Sequence, residues 1–340
     1  MGCTDTMVAL RRLVIARAPT RIDFGGGWTD VPPYPAERGG CVCNVAIARH
    51  ATVNLSESTG GVVIDDGEML HEAPNANAFG RTGGAELAKA ALRWARTGPI
   101  RLELRTGFPA RAGLGGSSAI LVSLSAALAA WASENLGREE LAERSRAIEV
   151  EDVGIAGGRQ DHYAAALGGA LGLWFGEEVT VRRIPLPPPL VSAIERRCIV
   201  AYTGASRISA DTINAVLDAY RSRDTGVVAA LARMRELAEE MILALERQSL
   251  DDLASLVGEH WVHQRALNTR ITTPEIERAL EVAHAAGALG GKALGASGGG
   301  CVLAIAAEDR ASEVRNAISR VAKIVPFTVD REGVNVTVQQ

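Results

Sequence analysis

Eleven residues, Pro109-Ala-Arg-Ala-Gly113-Leu-Gly115-Gly116-Ser117-Ser118-Ala119, constrain the fold of this chain more than any other segment. They stand between a β-like run, Ile100 to Leu104, and a long apolar segment, Ala119 to Trp131. The glycines must therefore turn a strand into the start of a helix. A helix start offers unpaired backbone N–H groups and the positive end of the helix dipole, and glycine lets an anion approach both. Phosphate is the natural guest, and adjacent serine hydroxyls can add a magnesium ligand. The Gly-Lys-Ser/Thr ending of a Walker A loop is missing. Taken alone, the segment also reads as a glycine turn capped by serine.

A second glycine loop, Lys292-Ala-Leu-Gly295-Ala-Ser297-Gly298-Gly299-Gly300, lies in the C-terminal half and precedes an apolar run, Cys301 to Ala306. By itself it is a tight turn before a strand. One such loop in each half suggests a ligand held between domains. A third constellation is Glu149-Val-Glu151 followed by Gly157-Gly158-Arg159-Gln160-Asp161. Phosphoryl transfer needs a carboxylate to place a cation and another to orient or deprotonate the attacking hydroxyl. Glu149 and Asp161, across a glycine turn, can meet at one site; the alternative is a solvated helix end and an aspartate cap.

A chain of 340 residues predicts two domains with a sizeable core. Its 36 basic and 40 acidic residues leave a net charge of −4, so no broad nucleic-acid footprint is expected. The five cysteines, Cys3, Cys41, Cys43, Cys198 and Cys301, are odd in number and scattered. Cys41-Val-Cys43 is too tight for a metal knuckle, which leaves reduced packing thiols and a cytoplasmic location. No apolar run is long enough to span a membrane and no signal core is visible, so neither a membrane nor a nucleic acid is an expected partner.

Leu13 to Ala18 and Cys41 to Leu55 read as strands, with an ordered loop rich in glycine and proline from Arg21 to Tyr34 between them. Helices are expected at Glu86 to Ala95, Ala119 to Asn135 and Glu139 to Val150, and a strand at Gly168 to Phe175. Pro185, Pro187, Pro188 and Pro189 form the clearest break and divide the chain into residues 1–187 and 188–340. Beyond it come a strand, Cys198 to Thr203, and mostly helix from Asp211 to Leu267, interrupted near Arg223 to Thr225 and near Ser249. A helix start at Thr273-Pro274-Glu275, strands at Cys301 to Ala306 and Ile324 to Val329, and a helix at Ala311 to Val321 make the second half α+β.

Together these segments resemble the GHMP kinase superfamily, with its three motifs in order over nearly the whole length. Arg17-Ala-Pro19-Thr-Arg21-Ile-Asp23 through Asp30 resembles the first motif, Pro109 to Ala119 the second and Lys292 to Gly300 the third. The resemblance implies a two-domain α+β fold. Its N-terminal domain would hold a left-handed βαβ crossover, against the usual right-handed rule, and its C-terminal domain would be ferredoxin-like. It implies ATP and Mg2+ as cofactors. Asp161 would activate the acceptor hydroxyl with Arg21 beside it, and Ser117 and Glu149 would hold magnesium, with Ser118 as a second candidate. Pro109, Gly113, Leu114, Gly115, Gly116, Ser117, Ser118 and Ala119 would bind the nucleotide. Asp30, Thr29, Gly298 and Gly299 would face the substrate and phosphate region.

Two positions depart from the family pattern. Glycine stands at Gly116 where a serine is usual, so a backbone contact must replace one hydroxyl. His162 stands where glutamine commonly follows the catalytic aspartate, either as a local packing change or to tune charge or touch substrate. Gly-Gly-Trp28-Thr29-Asp30-Val-Pro-Pro-Tyr34 is similar to two groups that phosphorylate the anomeric hydroxyl of a sugar, the D-glycero-D-manno-heptose 7-phosphate kinases and the L-fucokinase kinase domain. Tyr202-Thr-Gly204-Ala-Ser-Arg207 and Glu259-His260-Trp261-Val-His263-Gln-Arg265 resemble the heptose group, as does stand-alone length. A sugar phosphate needs a second anion site, for which Arg207, Arg265 and Arg270 are candidates. The expected partner is thus a small sugar or sugar phosphate, and a homodimer is allowed. A sugar-responsive sensor with weakened catalysis is the non-enzyme alternative.

Overall fold

The computed structural model describes residues 12–154, 157–204 and 210–339. The chain opens with strand β1 (Leu13–Gly25), a short helix α1 (Tyr34–Arg38) and the long strand β2 (Gly40–Glu57). Then follow β3 (Val62–Asp65), β4 (Leu70–Ala73), α2 (Glu86–Ala95), β5 (Ile100–Thr106), α3 (Gly116–Trp131) and α4 (Arg138–Ala147). A π-helical turn, Ile148–Val153, leads towards α5 (Gln160–Leu167), β6 (Ala170–Phe175) and β7 (Val179–Ile184). β1 and β2 pair antiparallel along their length. β5 pairs with the far half of β2 and β6 with its near half, while β3 runs parallel to β5. α3 is apolar on nearly every side, so it is buried, packed on β1 and β2 with α2, α4 and α5 around it.

The second half begins with α6 (Pro188–Arg197) and β8 (Cys198–Tyr202). Four helices follow, α7 (Ala210–Arg221), α8 (Thr225–Glu246), α9 (Leu250–Ala266) and α10 (Pro274–Ala285). Then come β9 (Ala288–Ala293), β10 (Cys301–Ala306), α11 (Ala311–Ser319), β11 (Lys323–Ile324) and β12 (Asn335–Gln339). The sheet order β11-β8-β10-β9 is that of a ferredoxin-like unit, the fourth strand beside the first and the third beside the second. Asp224, Ser249 and Thr273 each accept the backbone N–H three residues on, which sets the starts of α8, α9 and α10 where the sequence predicts breaks. β12 leaves this unit and pairs with β1, so residues 335–339 join the first sheet.

Three expectations are corrected. Residues 19–25 continue β1 instead of forming a loop, because Pro19 faces a register shift at which no ladder donor is needed. The expected break at Pro185 to Pro189 coincides with the start of α6, where Pro188 and Pro189 fit the first turn. The strand expected at Ile324 to Val329 stops after Ile324, because Pro326 cannot donate to a ladder, and only an isolated bridge joins Val329 to Ile47. β9 carries Gly290 and Gly291 and was not foreseen. A Cβ on Gly290 would lie 2.7 Å from the Ala254 carbonyl carbon, so these glycines let α9 sit against the strand's backbone. No helix among the described residues is long and apolar enough to cross a membrane.

Candidate active site

A cleft of about 470 Å3 opens between the two sheets, lined by the second-motif loop, the loop after β1, the start of α5 and part of the third-motif loop. Gly115 (φ 74°) sits at the N-cap of α3 with no side-chain cap, so the first N–H groups of the helix are left for a ligand. Pro109, Gly113, Leu114, Gly115, Gly116, Ser117 and Ser118 all line the cleft. Ala119 does not: it is buried in the core, and its N–H closes the first helical bond, to Gly115 O at 3.0 Å. The glycine at position 116 has a packing cause. A Cβ there would lie 2.5 Å from Cε2 of Phe108, whose ring covers the helix start. Gly116→Ser is therefore expected to cost about 1–3 kcal/mol, and much less on a Phe108→Ala background, as urea unfolding of the single and double variants will show.

Arg21 on β1 and Asp161 at the start of α5 meet across the cleft as a bidentate pair. Arg21 Nε donates to Asp161 Oδ1 at 2.7 Å and Nη2 to Oδ2 at 2.8 Å. The third guanidinium nitrogen donates to Gly113 O at 2.6 Å, so the same arginine holds the second-motif loop and orients the acid. Arg21 is 3% exposed and Asp161 24%, which leaves the carboxylate as the member open to a ligand. A Cβ on Gly115 would lie 3.1 Å from Asp161 Cγ, so acid and phosphate loop are in van der Waals contact. A group on the α3 terminus and a hydroxyl on Asp161 would be neighbours, as transfer between them requires.

Glu149 lies in the π-helical turn, buried yet lining the cleft. Burial alone would raise its pKa. Contacts with His162 and the nearby Ser117 outweigh that and hold it below the ordinary carboxylate range. His162 Nε2 is 3.0 Å from Glu149 Oε2, a close electrostatic contact whose angle falls short of a hydrogen bond. His162 thus faces the proposed metal ligand from beneath and does not line the cleft. Arg93 on α2 grips Asp152 of the same turn at 2.8 and 3.2 Å and so fixes the segment that carries Glu149. A hard cation fits Ser117 and Glu149, an ionised oxygen and a hydroxyl side by side at a phosphate loop. Among the described residues no cluster of three or more acidic, His or Cys side chains could hold a metal unaided, so phosphate oxygens would complete the shell.

The loop after β1 is pinned from both halves. Gly26 N donates to His260 Nε2 of α9 at 2.8 Å, and burial, with Lys292 nearby, keeps His260 well below its ordinary pKa and hence neutral. Thr29 does not line the cleft. Its hydroxyl donates to Gly26 O at 2.6 Å and takes the Cys41 N–H at 3.1 Å, tying the loop to β2. Asp30 does line the cleft, but its Oδ2 accepts the N–H groups of Arg159 and Gln160 at 2.9 and 3.0 Å and so caps α5. Burial, then Asp161 and Asp23, raise its pKa from 3.8 to about 6 despite these bonds. The folded state thus binds the extra proton, and this contribution to stability is full below about pH 4 and lost as pH rises through 6. Asp30→Asn, which keeps an acceptor, should remove about 2 kcal/mol of the wild-type stability difference between pH 4.5 and 7.5, read by urea unfolding at those two pH values.

In the third-motif loop only Gly295 and Ala296 line the cleft; Gly298 and Gly299 are buried and do not. The Gly298 N–H is taken by Ile271 O at 2.7 Å, which turns it from the ligand side. Gln264, one helical turn after His260, holds this loop through Gly295 O at 2.9 Å and Ser297 Oγ at 3.0 Å. The segment around His260 therefore positions both loops. Arg265 is exposed, points to Glu277 at 3.4 Å and does not line the cleft, because its neighbour Gln264 takes the inward side of α9. Arg270 is exposed and also outside it, and Arg207 lies outside the described residues. Two features escaped sequence reading. Lys292 Nζ donates to Asp23 Oδ2 at 3.0 Å and Asp23 O at 3.2 Å, a fully buried pair joining β9 to β1. Burial lowers the Lys292 pKa, partly countered by Asp23. Leu87, Phe108 and Ile120 form an apolar wall beside the phosphate loop.

Family models for the GHMP kinases N terminal domain and the GHMP kinases C terminal match residues 82–169 and 241–324. The chain is 27% identical over 309 residues to a D-glycero-alpha-D-manno-heptose 7-phosphate kinase of Campylobacter jejuni, covering 85% of this chain and 88% of that protein. It is 27% identical over 328 residues to the bifunctional fucokinase/GDP-fucose pyrophosphorylase of Arabidopsis thaliana, a match over 90% of this chain but 31% of that longer protein. A crystal structure of a D-glycero-D-manno-heptose 1-phosphate kinase from Bacteriodes thetaiotaomicron superposes with a TM-score of 0.79 at 26% identity, over 95% of this chain and 98% of that one.

Proposed function

Because this chain belongs to the GHMP kinase family, we propose that it transfers the γ-phosphoryl group of ATP to the anomeric hydroxyl of a sugar, and that the sugar is D-glycero-D-manno-heptose 7-phosphate. The observation that carries the reading is the Arg21–Asp161 pair set against Gly115 at the head of α3. The base moiety of the nucleotide would lie on the wall of Leu87, Phe108 and Ile120. The phosphates would take the free N–H groups of residues 116–118. Ser117 and Glu149 would hold Mg2+, which would supply neutralisation of phosphate charge. Asp161, held in orientation by Arg21, takes the hydroxyl proton as the sugar oxygen bonds to the γ-phosphorus and the bond to the β-phosphate oxygen breaks. Positioning and charge stabilisation are most of what such a transfer demands.

L-fucose is the second reading. The position of Arg265 outside the cleft favours it, since that residue cannot then grip a phosphate on the sugar. A cytoplasmic setting fits the four buried free thiols, Cys41, Cys43, Cys198 and Cys301. The test is ADP release with heptose 7-phosphate, L-fucose, galactose and mannose side by side, with NMR of the product to report the anomer. Heptose 7-phosphate should lead in kcat/KM by at least about tenfold. A lead for L-fucose selects the second reading, and sugar binding with no sugar-dependent ADP release makes the protein a sensor.

A further inference from the structure

Asp30 uses its Oδ2 to cap α5, so an acceptor sugar with several hydroxyls can call on further hydrogen-bond acceptors in the cleft. Two other side chains there have what that task requires. Asp23 and Gln160 both line the cleft and are 1% and 6% exposed. Asp23 Oδ1 and Gln160 Oε1 are buried acceptors with no hydrogen-bond donor among the described residues. Buried acceptors without donors are rare and call for a partner. The two side chains converge on one spot. A Cβ on Gly27 would lie 2.7 Å from Asp23 Oδ2 and 3.2 Å from Gln160 Nε2, so both pack on the bare face of that glycine. Lys292 fixes Asp23 by its other oxygen and its main-chain carbonyl, which leaves Oδ1 alone unused. By strand register the cross-strand neighbour of Asp23 is Asn44, and its amide is also without a partner, so it does not quench Asp23.

We infer that Asp23, held by Lys292, and Gln160 form an acceptor pair that reads two neighbouring hydroxyls of the acceptor sugar and sets its specificity. The inference rests on the sugar-kinase reading above. A site whose buried acceptors are matched by hydroxyl donors rejects an analogue lacking one of them far more strongly than an apolar pocket rejects a misfit. Lys292 makes the choice of Asp23 firm, because a carboxylate pinned at one oxygen cannot swing away from the ligand.

The experiment compares wild type, Gln160→Met and Asp23→Asn on the best sugar of the panel and on its single-deoxy analogues, with ADP release as readout and thermal melting as the control for folding. Wild type should disfavour one or two deoxy sugars by at least about tenfold in kcat/KM. In Gln160→Met that discrimination should shrink to about threefold, through a rise in sugar KM larger than any fall in kcat and with little change in ATP KM. Asp23→Asn should erase discrimination at the adjacent hydroxyl. Should Asp23→Asn fail to fold, Gln160→Met alone decides. Unchanged discrimination in a folded Gln160→Met enzyme overturns the inference and leaves the kinase reading standing. No sugar-dependent ADP release by wild type takes both down.

Discussion

Asp161→Asn is expected to lower kcat by about 10²- to 10⁴-fold, the range general-base removal produces, while nucleotide affinity stays within about twofold. Asparagine keeps the volume and can still accept from Arg21, so the cleft should keep its shape. What is lost is a group able to take a proton, at a position in contact with the phosphate loop through Gly115. Nucleotide phosphates would rest on backbone N–H groups at the start of α3, which the substitution does not reach. Single-turnover ADP formation and nucleotide titration separate the two quantities. A variant that retains a kcat within about tenfold of wild type would remove Asp161 from the role of base.

Lys292→Met should be the most destabilising single change at the site, by about 3–5 kcal/mol, because it strands the buried Asp23 carboxylate. Lys292 is fully buried and reaches from β9 to the carbonyl and carboxylate of Asp23 on β1. Two residues earlier on the same face of β1 stands Arg21, which orients Asp161. Removing the carboxylate as well, in Lys292→Met with Asp23→Asn, should cost less than the sum by about 1–3 kcal/mol, since a neutral amide tolerates burial better than an ion. Urea unfolding of the two single variants and the double gives the coupling. A single-variant cost below about 1 kcal/mol would show that the pair bears little of the joint between the sheets.

The three glycine-bearing loops and the acids Asp161 and Glu149 were legible in sequence because each has a local signature. Glycine marks the turns, and acids flank a glycine break before an apolar run. The helix boundaries in the second half were legible for the same reason, since Asp224, Ser249 and Thr273 cap their own helices. The assignments that the structure moved depend on contacts remote in sequence. Thr29, expected to face the substrate, is turned away by Cys41 of β2, and Asp30, which does line the cleft, also caps α5. The Lys292–Asp23 pair joins residues 269 positions apart, and no pattern within a window could reveal it. Gly116 was visible as a departure, but its reason, the ring of Phe108, needed the turn between them to be folded.

The pairing of β12 with β1 has a consequence for the order in which this protein can be made. Residues 13–17 wait for residues 335–339, so the outer edge of the first sheet is completed only after the whole ferredoxin-like unit has been synthesised. At translation rates of about 5–20 residues per second, β1 spends tens of seconds on or near the ribosome with that edge unpaired. The nascent chain then carries the margin of β1 unpaired as a temporary hazard, until β12 pairs with it.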